Sequence, residues 1–315
     1  MASPRIVVVG AGGVGGPFGT ALALGGADVT FIARGDHLKA IQDQGLRIDG
    51  ARGSFLLQPA QATDDPESVG PADYVIFTPK LWDVETTGAF IKPLVGRDTA
   101  VIPIQNGIDA AERLAPILGE GRVMGGVAVI NAVIDGPGRI RQMGSFQHFT
   151  FGELDGSITP RAERLKAVCD SSGLDATLSD DITKALWEKF VFLVGVSSLT
   201  GATRQWTGVS RNDPDLRQVL RNVMAEVTAV GQACGVALAD DTPEQKLGLI
   251  DSQDGRSISS MAVDLLRGNK LELPWLAGKV VELGKEKGVP TPTTYVLFSV
   301  LKPYIHGRPE DSPTG

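Results

Sequence analysis

Ile6-Val7-Val8-Val9-Gly10-Ala11-Gly12-Gly13-Val14-Gly15 is the stretch that decides the fold. Four consecutive β-branched residues read as a buried strand. The glycines that follow fit G-x-G-x-x-G, and they open a segment of helical period that reaches a second β-rich run at Val29. In that setting each glycine has a physical task. Gly10 permits a tight turn, Gly12 lets the backbone approach a pyrophosphate, and Gly15 lets helix and strand pack closely, while the helix N-terminus faces the phosphate charge. Gly10, Ala11, Gly12, Gly13, Val14 and Gly15 are therefore the expected cradle of a dinucleotide. A plain Gly-rich turn would use the same residues, but strand, spacing and helix together favour the nucleotide.

Further β-rich runs follow at Val29 to Ala33, Tyr74 to Thr78, Ala100 to Ile104, Arg122 to Ala132 and Gln147 to Phe151. Helical candidates lie after Gly13, Gly35, Trp82 and Ile108. This alternation predicts βαβ units, hence an α/β fold whose N-terminal part is a Rossmann-type, doubly wound, mostly parallel sheet. Beyond Pro160 the apolar residues recur at three- and four-residue spacing, as in Leu186, Phe190, Leu193 and Val194, then Leu216, Leu220, Val223 and Val227. The second part is expected to be mainly α-helical. The Ser171-Ser172-Gly173 turn and the Asp180-Asp181 pair place a boundary near residue 178, giving domains 1–178 and 179–315, with Asp181 or a neighbour capping the next helix. The closing Arg308 to Gly315 segment is expected to fray.

The 315 residues suffice for two domains, and 42% hydrophobic with 21% charged residues is ordinary globular usage. Thirty Lys and Arg against 37 Asp and Glu leave a net charge of −7, without a basic block, which argues against a nucleic-acid partner. Cys169 and Cys234 are far apart, and His37, His148 and His306 are not near one another, so neither a disulfide framework nor a metal site is indicated. Phe190 to Leu199 is about half the length of a membrane span and reads as a buried helix. The four-residue run from Ile6 to Val9 is too short for a signal-peptide core, so the expectation is a cytoplasmic protein without a membrane partner.

A cofactor with a free ribose 2′-hydroxyl usually meets an acid at the end of the second strand, but Ala33-Arg34 stands there. A guanidinium can grip phosphate oxygens bidentately, so Arg34 points to NADP(H); the competing reading is a solvated arginine paired with Asp36. Lys80 and Asn106 follow two later strands and would stand at the carboxyl edge of the sheet, where such folds bind ligands. Each also suits an ordinary loop.

Taken together, the GAGGVGG opening with Arg34, the TPK of Thr78 to Lys80, the QNG of Gln105 to Gly107, Trp187-Glu188-Lys189, and Ser259-Ser260-Met261 followed by Glu272 resemble the ketopantoate reductases (2-dehydropantoate 2-reductases) over nearly the whole chain. The resemblance implies an NADPH-dependent reduction of a small 2-oxo acid, with Lys189 as the catalytic lysine and proton donor and Glu272 as its acidic partner, also touching the cofactor. It implies that Asn106 and Ser260 contact cofactor and substrate and that Lys80 contacts cofactor. A protonated lysine suits this chemistry, because it attracts an anionic substrate and stabilises the forming alkoxide.

The chain departs from the family at the asparagines commonly found on the substrate side, where Leu193, Ser197 and Thr207 stand. Ser197 and Thr207 are expected to serve as shorter substrate-binding groups, and Leu193 to favour a more apolar 2-oxo acid. Ala277 likewise replaces an asparagine before Gly278. Two other classes stay open on sequence alone: a non-catalytic NADP(H)-binding regulator, and another dehydrogenase of the same domain order, against which Arg34 and the Ser260 to Glu272 spacing argue. A homodimer is left open as well.

Overall fold

The computed structural model describes residues 3–309, so the part of the closing segment beyond 309 lies outside the described residues. The elements of the first half are β1 (Arg5–Val9), α1 (Gly15–Leu24), β2 (Asp28–Ile32), α2 (Gly35–Gln44), β3 (Leu46–Gly50), β4 (Gly53–Leu57), β5 (Gln61–Thr63), α3 (Pro66–Val69), β6 (Ala72–Phe77), α4 (Val84–Phe90), β7 (Val95–Pro103), α5 (Ala110–Leu118), β8 (Gly125–Gly136), β9 (Arg139–Gly152), α6 (Pro160–Ser171) and β10 (Ala176–Leu178). Helices α7 (Ile182–Thr203), α8 (Thr207–Asn212), α9 (Pro214–Ala233), α10 (Thr242–Ser252), α11 (Ser260–Leu266), α12 (Ala277–Lys287) and α13 (Pro292–Leu301) complete the chain. The α/β half followed by a helical half is as the sequence pattern predicts.

The chain forms two compact units, Met1–Gln105 with Asp109–Ala185, and Asn106–Ile108 with Leu186–Gly315. In the first, β5-β2-β1-β6-β7 make a five-stranded sheet in which every pairing is parallel. Strand β1 is central because its residues Ile6, Val7 and Val8 are wholly buried, as a strand covered on both faces must be. The register aligns Val9 with Ile32 and with Phe77, and Phe77 with Pro103. The loops after β1, β2, β6 and β7 therefore leave from one edge.

Val123 bridges Val101 of β7 in parallel, but Gly125 to Ala132 and Gln147 to Phe151 do not join that sheet. They fall in β8 and β9, which pair antiparallel, and β9 also pairs in parallel with β3 and β10 to build a second sheet that includes β4. Helix α1 lies between the sheets. On one side a Cβ at Gly19 would approach Phe31 to 2.5 Å; on the other, one at Gly16 would collide with Ile140, and Phe18 packs on Phe149 with ring centroids 5.8 Å apart.

In the second unit, Phe190, Val191, Val194 and Leu199 of α7 pack with Leu220, Val223 and Val227 of α9, Met261, Leu273 and Val280 in one core. Asp181 caps α7 through the Lys184 N–H at 3.0 Å, as its position before the apolar run suggested. Helix α7 is long and apolar enough to cross a membrane by length and composition, but 61% of its most apolar window is buried inside the protein, as in a core helix. Glu226 of α9 accepts from the Thr293 and Thr294 N–H groups and the Thr294 hydroxyl at 2.7–2.8 Å, which pins the first turn of α13 to α9.

Candidate active site

The glycine loop in the first unit is shaped by backbone contact. Gly10 has φ +99°, and a Cβ there would stand 2.5 Å from the Thr78 hydroxyl. At Gly15 a Cβ would collide with the Gly10 carbonyl oxygen and approach Val8 to 2.9 Å, so α1 can start this close to β1 only without side chains. At Gly13 it would collide with the Ala132 carbonyl of β8. Gly12 differs: its Cβ position meets only Ile134, at 3.8 Å. The fold does not require glycine at 12 by crowding, and an approaching ligand would.

Thr78 staples the loop to the sheet. Its N–H donates to the Val9 carbonyl at 3.0 Å, and its hydroxyl, at 2.8 and 2.9 Å from the Val9 and Gly10 carbonyls, is shared between them. Among the described residues the N–H groups of Gly12, Gly13 and Val14 have no protein acceptor, no side chain caps α1, and its first turn holds no acid. Carbonyls turned inward with amides left over form a concavity of positive character that suits a pyrophosphate.

Arg34 is exposed at the start of α2, and among the described residues it forms no ion pair with Asp36. Lys80 is exposed after β6, with its ammonium 5.5 Å from the centroid of the Trp82 ring. Loop, Arg34 and Lys80 thus stand at the same edge of the parallel sheet.

The other site residues belong to the second unit. Lys189 is half-buried on α7. Burial pushes its ammonium down from the usual 10.5 to about 8, while the negative charge of Glu272 pulls it back up. Glu272 itself is buried, 7% exposed, just before the 3-10 turn Leu273–Trp275. The flanking residues set the orientation of α7: Trp187 enters the core edge-on to Phe190 at 5.6 Å, and Glu188 pairs with Lys246 of α10 at 3.6 Å. Leu193 and Ser197 follow Lys189 at four-residue steps and so share its helix face. Leu193 is half-buried against the core, and the Ser197 hydroxyl is buried without a protein partner.

Thr207 is 5% exposed, and its hydroxyl pairs with that of Ser257 at 2.7 Å. Ser260 opens α11 and is exposed, whereas the preceding Ser259 caps that helix through Ala262 N–H at 3.1 Å and bonds Thr200 of α7 at 2.8 Å. Asn106 is half-buried before Gly107, whose φ is +90°. Ser257 and Thr200 had no distinguishing signal in the sequence, and Ser259 entered only as part of the Ser259-Ser260-Met261 motif, since hydroxyls reveal their pairing only once the helices are packed.

The family model described as Ketopantoate reductase PanE/ApbA matches residues 6–156, and that for Ketopantoate reductase PanE/ApbA C terminal matches residues 181–305. The chain belongs to the ketopantoate reductase family. Among curated relatives, the 2-dehydropantoate 2-reductase of Mesorhizobium japonicum is 30% identical over 95% of this chain and 97% of its own length, and that of Archaeoglobus fulgidus is 30% identical over 96% and 98%. Among solved structures, the 2-dehydropantoate 2-reductase of Geobacter metallireducens is 31% identical with a TM-score of 0.89, covering 95% of this chain and 99% of that one. Both halves of the ketopantoate reductase pattern, the glycine loop and the lysine-bearing helix, thus lie inside matched regions.

A Gly15→Ala protein is expected to lose dinucleotide affinity by about tenfold or more, because the added methyl forces α1 away from β1. Fluorescence titration with NADPH against the parent protein measures it.

Proposed function

We propose that this protein reduces 2-dehydropantoate (ketopantoate), or a closely related 2-oxo acid, with NADPH. The observation that carries the reading is Lys189, held near a pKa of 8 by burial beside the carboxylate of Glu272, in a chain matched at both halves by the ketopantoate reductase models. The free amides of Gly12, Gly13 and Val14 would hold the pyrophosphate, and Arg34 the 2′-phosphate. Lys80, Asn106 and Glu272 complete the proposed cofactor contacts. Bound NADPH supplies the hydride.

The protein's own work is charge and proton management. The Lys189 ammonium attracts the substrate carboxylate, stabilises the alkoxide as it forms and gives it a proton from Nζ. A pKa near 8 makes that transfer easier than from an ordinary lysine while leaving most of the group protonated at pH 7. Glu272 keeps the ammonium charged in its buried setting and orients it. Asn106 and Ser260 are the proposed polar contacts to the substrate, with Ser197 as a further donor because its buried hydroxyl has no protein partner.

A second reading concerns only the substrate. Leu193 stands on the Lys189 face, and Thr207 already pairs with Ser257, so fewer free polar groups stand there than the hydroxyl of ketopantoate would use. This favours a 2-oxo acid with a more apolar side chain.

Loss of NADPH absorbance with ketopantoate and with branched and aromatic 2-oxo acids, repeated with NADH, separates the two readings. Oxidation of NADPH by ketopantoate at the highest kcat/KM supports the first reading, and the highest value for an apolar acid the second. No oxidation with any acid contradicts both. In the same assay Arg34→Ala should erode the preference for NADPH over NADH by about 10- to 100-fold, the worth of one charged phosphate contact.

The acid form of Lys189 exists below its pKa and is lost above it, so kcat/KM for reduction should be level below about pH 8 and fall as pH rises through that value. A pH–rate profile that stays level to pH 10 contradicts Lys189 as the donor.

A further inference from the structure

The carbonyl oxygens of the glycine loop are turned onto protein donors. Those of Val9 and Gly10 face Thr78, and that of Gly12 accepts from Gly16 N–H at 2.8 Å. The Ala11 carbonyl lies 2.8 Å from Nε2 of His37, two residues into α2. The other ring nitrogen, Nδ1, lies 3.0 Å from Gly138 N–H in the tight turn between β8 and β9. A carbonyl only accepts and an amide N–H only donates, so one form satisfies both: a neutral imidazole with its hydrogen on Nε2. The turn is a firm anchor, because the Gly138 carbonyl accepts from Arg47 N–H of β3 at 2.9 Å, and a Cβ at Gly138 would approach Ala40 of α2 to 3.1 Å.

We propose that His37 is a positioning residue for the dinucleotide, bridging the glycine loop to the β8–β9 turn and thereby aiming the loop amides. The Ala11–Gly12 peptide is planar and trans, so its C=O and N–H point in opposite directions. Holding the Ala11 oxygen on His37 therefore fixes the direction of the Gly12 N–H, one of the amides without a protein acceptor. The same side chain ties the first turn of α2 to the loop, and Arg34 immediately precedes that turn. One imidazole thus sets the spacing between the proposed pyrophosphate and 2′-phosphate contacts. It does so from the first unit, whereas Lys189 and Glu272 belong to the second. Its loss should act on cofactor affinity and not on the reacting centre. This inference rests on the dinucleotide reading of the loop.

The test compares wild type with His37→Phe, which keeps a ring and loses both bonds, with His37→Gln, whose amide N–H can still reach the Ala11 oxygen, and with His37→Asn, which is too short for it. NADPH dissociation constants come from fluorescence titration, kcat and KM from NADPH oxidation, and folding from thermal melts. His37→Phe is expected to raise Kd and KM for NADPH about tenfold, with kcat at saturating cofactor and KM for the 2-oxo acid within about twofold of wild type. His37→Gln should recover most of the affinity and bind more tightly than His37→Asn, a comparison that holds even if the Phe variant does not fold. His37→Phe binding NADPH within twofold of wild type, a fall in kcat without a change in Kd, or Gln no better than Asn overturns the role of His37 alone. Wild type that does not bind NADPH contradicts the dinucleotide reading, and the role of His37 with it.

Discussion

The backbone-to-backbone approach of α1 to β1 is the constraint on which the rest of the first unit depends. Gly15 stands against the Gly10 carbonyl, Gly16 against the Ile140 side chain and Gly19 against the Phe31 ring, so the helix is wedged between two sheets with no side chain of its own at these three contacts. That closeness lets one short loop have its carbonyls taken up by Thr78, His37 and Gly16. It leaves the amides of Gly12, Gly13 and Val14 without protein acceptors. A helix start that is neither capped nor preceded by an acid would ordinarily be a cost to stability, and an anion offsets it.

The second unit works by the opposite means. Its core is built from large side chains on α7, α9 and the segments after Met261, and Lys189 lies on the same helix that supplies Phe190 and Val194 to that core. Lys189 is thereby taken out of bulk water by the packing that stabilises the unit, and burial lowers its pKa. Glu272 limits the shift. Without a partner, a lysine in such a setting would tend to shed its proton; with one, it remains an acid poised near neutral pH.

Much of this was legible in the sequence because the relevant signals are local. A β-branched run, glycines at fixed spacing and Arg34 after the second strand act within one βαβ unit, and the observed register brings their loops to one edge. The amphipathic spacing in α9 and the nearly continuous apolar character of α7 were equally readable. The second sheet was not. Strand β4 is nearly all exposed, β10 has only three residues, and β9 pairs with β8, β3 and β10 in different directions, so its partners are decided by tertiary packing. Within the site, residue types such as Lys189 and Glu272 carried their own chemistry. The role of His37 had no local signal, since it depends on Gly138, which is 101 residues away in the chain.

Lys189 as the acid in the reduction of a 2-oxo acid is the proposal on which the others rest. The most direct measurement is the rate of NADPH oxidation by wild type and Lys189→Ala at pH 7, using the 2-oxo acid that wild type turns over fastest, with NADPH affinity measured on both proteins. With Lys189 as the acid, kcat falls by about 100-fold or more with NADPH affinity nearly unchanged. A Lys189→Ala protein that keeps near-normal turnover would contradict it.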